Sequence, residues 1–233
     1  MRSKYQASAE RIPAFHAGSI KKAFLALALA LALLSPACQK PRYVGHKQVI
    51  VNPTSPIDKQ HMSSHQIYFN QFLQDGVYEC TATAVGPHQL LTAGHCYMNR
   101  SEIYLDRSSH TTQILGILVD GNDHSIYVVD TTFDTYSKID QRPLTAYEKV
   151  HFWGNPGKNY DVYREGYFVN QFYDKDAELV LQQFVLPVYG GDSGSGMFDA
   201  NGNIVAVVSL GNTSAQEYSL PLSFTDAQLA TLK

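Results

Sequence analysis

The chain has 233 residues and a formal net charge of −3, with charged residues at only 17%. That balance gives no reason to expect a nucleic-acid partner. Aromatics make up 12%, fifteen of them tyrosine, which suits a folded extracytoplasmic protein.

Residues 1–37 read as a signal peptide. A cationic lead ends at Lys21-Lys22, and Ala23 to Leu34 is an unbroken Ala/Leu/Phe run. Such a run is a secretory h-region, below the ~18 residues of a spanning helix. Ser35-Pro36-Ala37 supplies small residues for cleavage, and Cys38 follows at once. A cysteine there resembles the lipidated cysteine of bacterial lipoproteins, although Ser35 stands where those signals carry Leu. The expectation is an exported protein, either a periplasmic or outer-membrane lipoprotein anchored through Cys38, or a secreted one. About 195 residues then remain, enough for one large all-β domain or two small lobes.

Residues 38–65, with Pro41, Pro53 and Pro56, read as a tether or arm. His61 and His65 are four apart but have no third ligand in sight, so they read as surface histidines. No metal or organic cofactor is expected. From Gln66 short β segments alternate with turn residues, which argues a sandwich or barrel. The segments are Ile67–Phe69, Val77–Val85, Gln89–Thr92, Glu102–Leu105, Gln113–Val119 and Ser125–Val129. Polar Thr131 to Pro143 separates these from Val150–Trp153, Tyr160–Asn170, Ala177–Val188, Gly196–Phe198 and Ile204–Val208. Asn201-Gly202 between the last two is a hairpin signal. Only the end reads as helical, where Thr225-Asp226-Ala227-Gln228 forms a capping box.

Two stretches carry chemistry. Tyr189-Gly190-Gly191-Asp192-Ser193-Gly194-Ser195-Gly196 holds four glycines in eight positions. Such a loop can expose a serine hydroxyl with amide N–H groups converging beside it, the geometry of a nucleophile and an oxyanion hole. Its bland reading is a tight Gly/Ser turn. Leu91-Thr92-Ala93-Gly94-His95-Cys96 presents a histidine at the end of a strand. In an exported chain Cys96 can bridge to Cys80, sixteen positions upstream, which leaves Cys38 for the N-terminus.

TAGHC at Thr92–Cys96 followed by GDSGSG at Gly191–Gly196 resembles the chymotrypsin/trypsin-like serine peptidases, with His before Ser in chain order. The cysteine spacing is that of the family's disulfide beside its histidine. Gly154-Asn155-Pro156-Gly157 and Met197–Ile204 are similar to the bacterial branch. The resemblance covers roughly residues 66 to 225 and implies two Greek-key antiparallel β-barrels side by side. Their active site would lie between lobes at 66–135 and 136–233, with a short C-terminal helix after it. It implies Ser193 as nucleophile, His95 as base and Asp123 as the orienting acid, with Asp120 and Asp130 as runners-up. Gly191 and Ser193 would supply the oxyanion hole. Pro187, Val188, Tyr189, Ser209, Leu210 and Gly211 would bind substrate.

The expected activity is hydrolysis of peptide bonds by a monomeric endopeptidase acting on polypeptides. The rivals are a non-catalytic binding module and a hydrolase of non-peptide esters. Two departures matter. Pro187 occupies the place of the acid that selects Lys or Arg, and Val208 the place of the histidine that marks glutamyl specificity. No Ile-Val-Gly-Gly-like terminus precedes Cys80, so Asp192 lacks the family's usual partner.

Overall fold

The computed structural model describes residues 56–68, 79–97, 101–106, 111–156, 161–209 and 216–232. The chain divides into units at 1–42 and 43–233, and every described residue falls in the second. The leader, Cys38, Leu210 and Gly211 lie outside the described residues.

Helix α1 (Pro56–Ser63) opens the described chain and runs into β1 (Ser64–Tyr68). Pro56 suits a first helical position, where its missing N–H is an orphan in any case. A helix and the first residues of a barrel strand therefore occupy the end of the stretch that reads as an arm. Then come β2 (Glu79–Gly86), β3 (Gln89–Ala93), a 3-10 turn at Gly94–Cys96, β4 (Glu102–Leu105), β5 (Thr111–Val119) and β6 (His124–Val129). These strands close a barrel in the order β1-β2-β3-β6-β5-β4. Every residue of β3 is buried, and Ile67, Leu90, Leu91, Ile103, Ile126 and Tyr127 are fully buried in one apolar cluster on the two faces of these strands.

The second lobe has β7 (Lys149–Gly154), β8 (Val162–Asp174), β9 (Leu179–Val185), β10 (Gly196–Phe198), β11 (Ile204–Val207) and β12 (Gln216–Ser219). Its order, β11-β10-β7-β8-β9-β12, is the same permutation cut open between β11 and β12. Both lobes are Greek keys. The expected second closed barrel thus has no backbone ladder at this seam among the described residues. Side chains cross it instead: Ser219 Oγ donates to Val207 O at 2.5 Å, and Glu217 Oε1 accepts from Ser209 N–H at 2.6 Å. Phe152, Phe168, Phe184, Leu186 and Met197 form the core beneath.

The chain ends in α2 (Asp226–Leu229), whose capping box on Thr225 and Gln228 is formed as the sequence suggests. Side chains of helix α1 reach β7. His151 Nε2 meets Gln60 Oε1 at 2.5 Å, and the His61 ring stacks 4.2 Å from Trp153. His61 is buried, and His65 bonds Asp106 through Nδ1 at 2.6 Å. Neither is the plain surface histidine that its sequence context suggests, because α1 and β1 pack into the molecule. No group of three metal-ligating side chains occurs among the described residues.

Candidate active site

Strand β3 ends in small residues, and the tight turn after it projects His95 from the barrel rim. The Cys80–Cys96 disulfide ties that turn to β2. Asp123 leads into β6, the neighbour of β3. Its carboxylate holds His95 twice, at Nδ1 (2.7 Å) through Oδ2 and at the backbone N–H (2.8 Å) through Oδ1. Ser209 Oγ donates to the same Oδ2. Burial alone would raise the Asp123 carboxyl. The hydrogen bonds and charge of His95, with the Ser209 hydroxyl, outweigh it and hold the group below its ordinary value. His95 keeps 44% of its side chain exposed and Asp123 21%, so the imidazole is oriented yet reachable.

The runners-up go elsewhere. Asp120 bonds His124 Nδ1 at 2.6 Å, both side chains being fully buried. It also accepts N–H bonds from Asn122 and Ser223. Asp130 exchanges bonds with the backbone of Gln113.

The glycine-rich loop comes from the second lobe and is fastened to the first. Thr81 N–H donates to Ser193 O at 2.8 Å, while within the second lobe Gly194 N–H donates to Val208 O at 2.8 Å. Gly194 has φ +89, and a side chain there would collide with Thr81 O and Thr92 Oγ1. Only glycine lets the loop lie against the strand that delivers His95. Cys96 Sγ is 3.8 Å from Ser193 O, which puts Ser193 beside the same turn. Ser193 is partly exposed, whereas Ser195 is fully buried and its hydroxyl has no partner among the described residues. Of the two, Ser193 is the reachable one. Among the described residues its hydroxyl makes no hydrogen bond. Nucleophile–base bonds are often loose before substrate binds.

Asp192 N–H donates to Tyr189 O at 3.0 Å, and Gly191 has φ +100. A positive φ at the third residue makes this a type II turn, which needs glycine there. Turn type decides which way the central peptide faces, and with it the Gly191 N–H. The Gly191 carbonyl accepts from Thr81 Oγ1 at 2.9 Å, which in turn accepts from Asn155 Nδ2 at 3.1 Å. Among the described residues the N–H groups of Gly191 and Ser193 donate to no protein acceptor. That leaves two amide donors for a ligand oxygen.

Asp192 has a partner the sequence reading missed. Arg164 Nη1 lies 2.5 Å from Asp192 Oδ2, with the arginine side chain 8% exposed and the aspartate 0%. Tyr189 N–H donates to the same oxygen at 2.8 Å. The guanidinium sits 5.4 Å from the Phe152 ring and 5.1 Å from that of Tyr189, stacking that suits arginine more than lysine. Burial pushes the Asp192 carboxyl up, and Arg164 opposes it. A signal for this pair exists in the sequence. With Tyr163, Glu165 and Tyr167 facing out, strand alternation puts Arg164 inward.

Of the proposed substrate-binding residues, Pro187 and Tyr189 are exposed, Val188 packs into the second core and Ser209 is 7% exposed.

No protein-family model matches the sequence, and no curated protein matches it. Solved structures do. The chain is similar to the Rv3671c protease of M. tuberculosis in its active form. That match has 18% identity and a TM-score of 0.62, covering 85% of this chain and 93% of the other. It is similar to a Glu endopeptidase solved with MPD, at 18% identity and TM-score 0.57, over 73% and 89% of the two chains. An HtrA-type protease, AlgW with a tripeptide, matches at 15% and 0.58, over 71% and 58%. This likeness establishes the fold, which is that of the chymotrypsin/trypsin-like serine peptidases as bacterial proteases display it.

Proposed function

We propose that this chain is an exported serine endopeptidase whose catalytic residues are Ser193, His95 and Asp123. One observation carries the reading most: the Asp123 carboxylate grips His95 at both Nδ1 and the backbone N–H, beside a partly exposed serine on a loop with two unused amide donors. Ser193 Oγ attacks the scissile carbonyl, and His95 Nε2 takes its proton and returns it to the leaving amine. The carboxylate fixes the tautomer with Nδ1–H and stabilises the imidazolium. The N–H groups of Gly191 and Ser193 hold the developing oxyanion. Water then attacks the acyl-enzyme by the same proton route in reverse. A substrate strand would lie along Ser209-Leu210-Gly211, which favours an extended peptide over a small ester. With Pro187 in place of an acid, the pocket takes a small or apolar side chain.

A fluorophosphonate probe should label Ser193 in the oxidised, leader-free protein, and Ser193→Ala should abolish labelling while the fold persists. No labelling of the wild-type chain would leave the binding-module reading standing. Labelling that survives the substitution would move the nucleophile elsewhere. A peptide-library cleavage profile then fixes specificity. Export with cleavage after Ala37 and lipidation of Cys38 belongs to the same reading. Mass analysis of the mature N-terminus tests it, since an unmodified Cys38 removes the anchor.

A further inference from the structure

Asp123 is flanked in the chain by a second His–Asp pair. Asp120 precedes it by three positions and His124 follows it directly, and the side chains of both are fully buried. The Asp120 carboxylate reaches both neighbours of Asp123. Its Oδ1 accepts the Asn122 N–H at 2.9 Å, and its Oδ2 meets His124 Nδ1 at 2.6 Å. One side chain thus grips the residue before the orienting acid and the residue after it. The 221–223 segment fastens the same turn. Ser223 N–H donates to Asp120 Oδ2 at 3.0 Å, Ser223 Oγ donates to Asp120 O at 2.8 Å, and Asn122 Nδ2 donates to Pro221 O at 2.7 Å.

A histidine is a costly choice at this strand position. It stands opposite Ala93 in the β3–β6 ladder, at the strand end that delivers His95. Its other ring nitrogen, Nε2, is buried with no hydrogen-bond partner, and an orphaned buried polar atom is unfavourable. What the imidazole supplies in return is the bond from Nδ1 to Asp120. Between these two residues the Asp123 backbone is tied across to the His95 turn, where Gly94 N–H donates to Asp123 O at 2.7 Å. Reacting groups need to be held within about 0.5 Å of their working geometry by the side chains behind them. Here that support comes from a buried pair on either side of the acid.

Resting on the peptidase reading, we propose that Asp120 and His124 are positioning residues for Asp123. Asp120 sets the backbone on both sides of the acid, and His124 holds Asp120 where it can do so. Their effect reaches the reaction through Asp123 and His95. It therefore falls on the chemical step and not on substrate binding.

The test measures kcat and KM on an activated ester, below the melting point of each variant, for Asp120→Asn, His124→Leu and His124→Asn. Each is made alone and combined with Asp123→Ala. An amide has a single acceptor oxygen, so Asp120→Asn loses one side of the grip. It should lower kcat about 10-fold and leave KM within about twofold. His124→Leu should do the same, and His124→Asn, whose amide N–H can stand near the Nδ1 position, should recover most of the loss. In the Asp123→Ala background none of the three should lower kcat further. Unchanged kcat in Asp120→Asn would overturn the proposal. So would equal losses in both backgrounds, which a merely structural pair would give. Ser223→Ala stands in if the buried variants do not fold. It should lower kcat about threefold in the wild-type background alone, and no loss there would be equally fatal. Absence of fluorophosphonate labelling in the wild-type chain would instead sink the peptidase reading beneath it.

Discussion

The two lobes use one strand permutation and treat it differently. The first closes its ring with backbone bonds between β1 and β4, and its rim is further pinned by the Cys80–Cys96 bridge. Among the described residues the second has no ladder between β11 and β12, and side-chain bonds from Ser219 to Val207 and from Ser209 to Glu217 cross that seam. His95 and Asp123 stand on the closed lobe. Ser193, the amide donors beside it and Ser209 stand on the other. An acid–base pair needs a fixed geometry, which a closed barrel supplies. In the reading proposed above, the serine loop must also meet a peptide strand, a demand the acid–base pair does not face.

The largest effect should come from breaking the second lobe's own lock. The glycine-rich loop has backbone bonds to Thr81 and Val208, but the Arg164–Asp192 pair is its buried charged anchor. Arg164→Met leaves a carboxylate buried without its cation, which typically costs about 3–5 kcal/mol. If the type II turn relaxes, a donor to the oxyanion is lost, worth about 100- to 1,000-fold in rate. Urea melts and probe-labelling rates would measure the two separately. Removing both charges in R164M/D192N should recover much of the stability without recovering the rate. Because Arg164 is internal, adding residues before position 56 should leave labelling unchanged. Labelling that required a freed N-terminus would show that the lock is not self-sufficient.

The corresponding blow to the first lobe is smaller. Replacing Cys80 and Cys96 together by alanine opens a sixteen-residue loop and should cost about 3 kcal/mol by chain entropy. Most of the barrel ladder remains, so labelling should persist below the lowered melting point. If the double variant melted like the wild type, the closed ring alone would be sufficient for the rim.

What the sequence reveals follows the same divide. Strand β4 can be read at its observed bounds, and Asn201-Gly202 announces the β10–β11 hairpin, because apolar runs and turn residues are local signals. His95, Asp123 and Ser209 can be read through short motifs that resemble a family. Strand β12 cannot. Its inward residues are Glu217 and Ser219, so the apolar alternation that marks a strand is absent. Helix α1 is hidden by its polar composition and by Pro56, which also suits a linker. Arg164 looks like one more charged residue between two tyrosines. Strand alternation can turn it inward, but its partner, Asp192, lies twenty-eight positions away. In each case the missing information is tertiary.

The mildest way to probe the comparison is acid. In the first lobe burial would raise Asp120, but its bonds to His124 and to the N–H groups of Ser223 and Asn122 hold its carboxyl below the ordinary value. Asp123 behaves likewise. A depressed carboxyl stabilises the fold fully above the unfolded value of about 3.9 and loses that contribution as pH falls through the folded value. Asp192, raised by burial, has the opposite sign, its favourable term being lost as pH rises. Glu148 and Asp199, paired with Arg142, are depressed carboxyls in the second lobe and follow the Asp120 pattern. Asp120→Asn should therefore be less stable than the wild type at pH 7, with the gap starting to close below about pH 5 and closing further as pH falls through the depressed folded value. Urea midpoints for the two proteins across that range would measure it. A gap that stayed constant with pH would mean that Asp120 acts by shape alone, and that the first lobe's rigidity owes nothing to the charge of its second His–Asp pair.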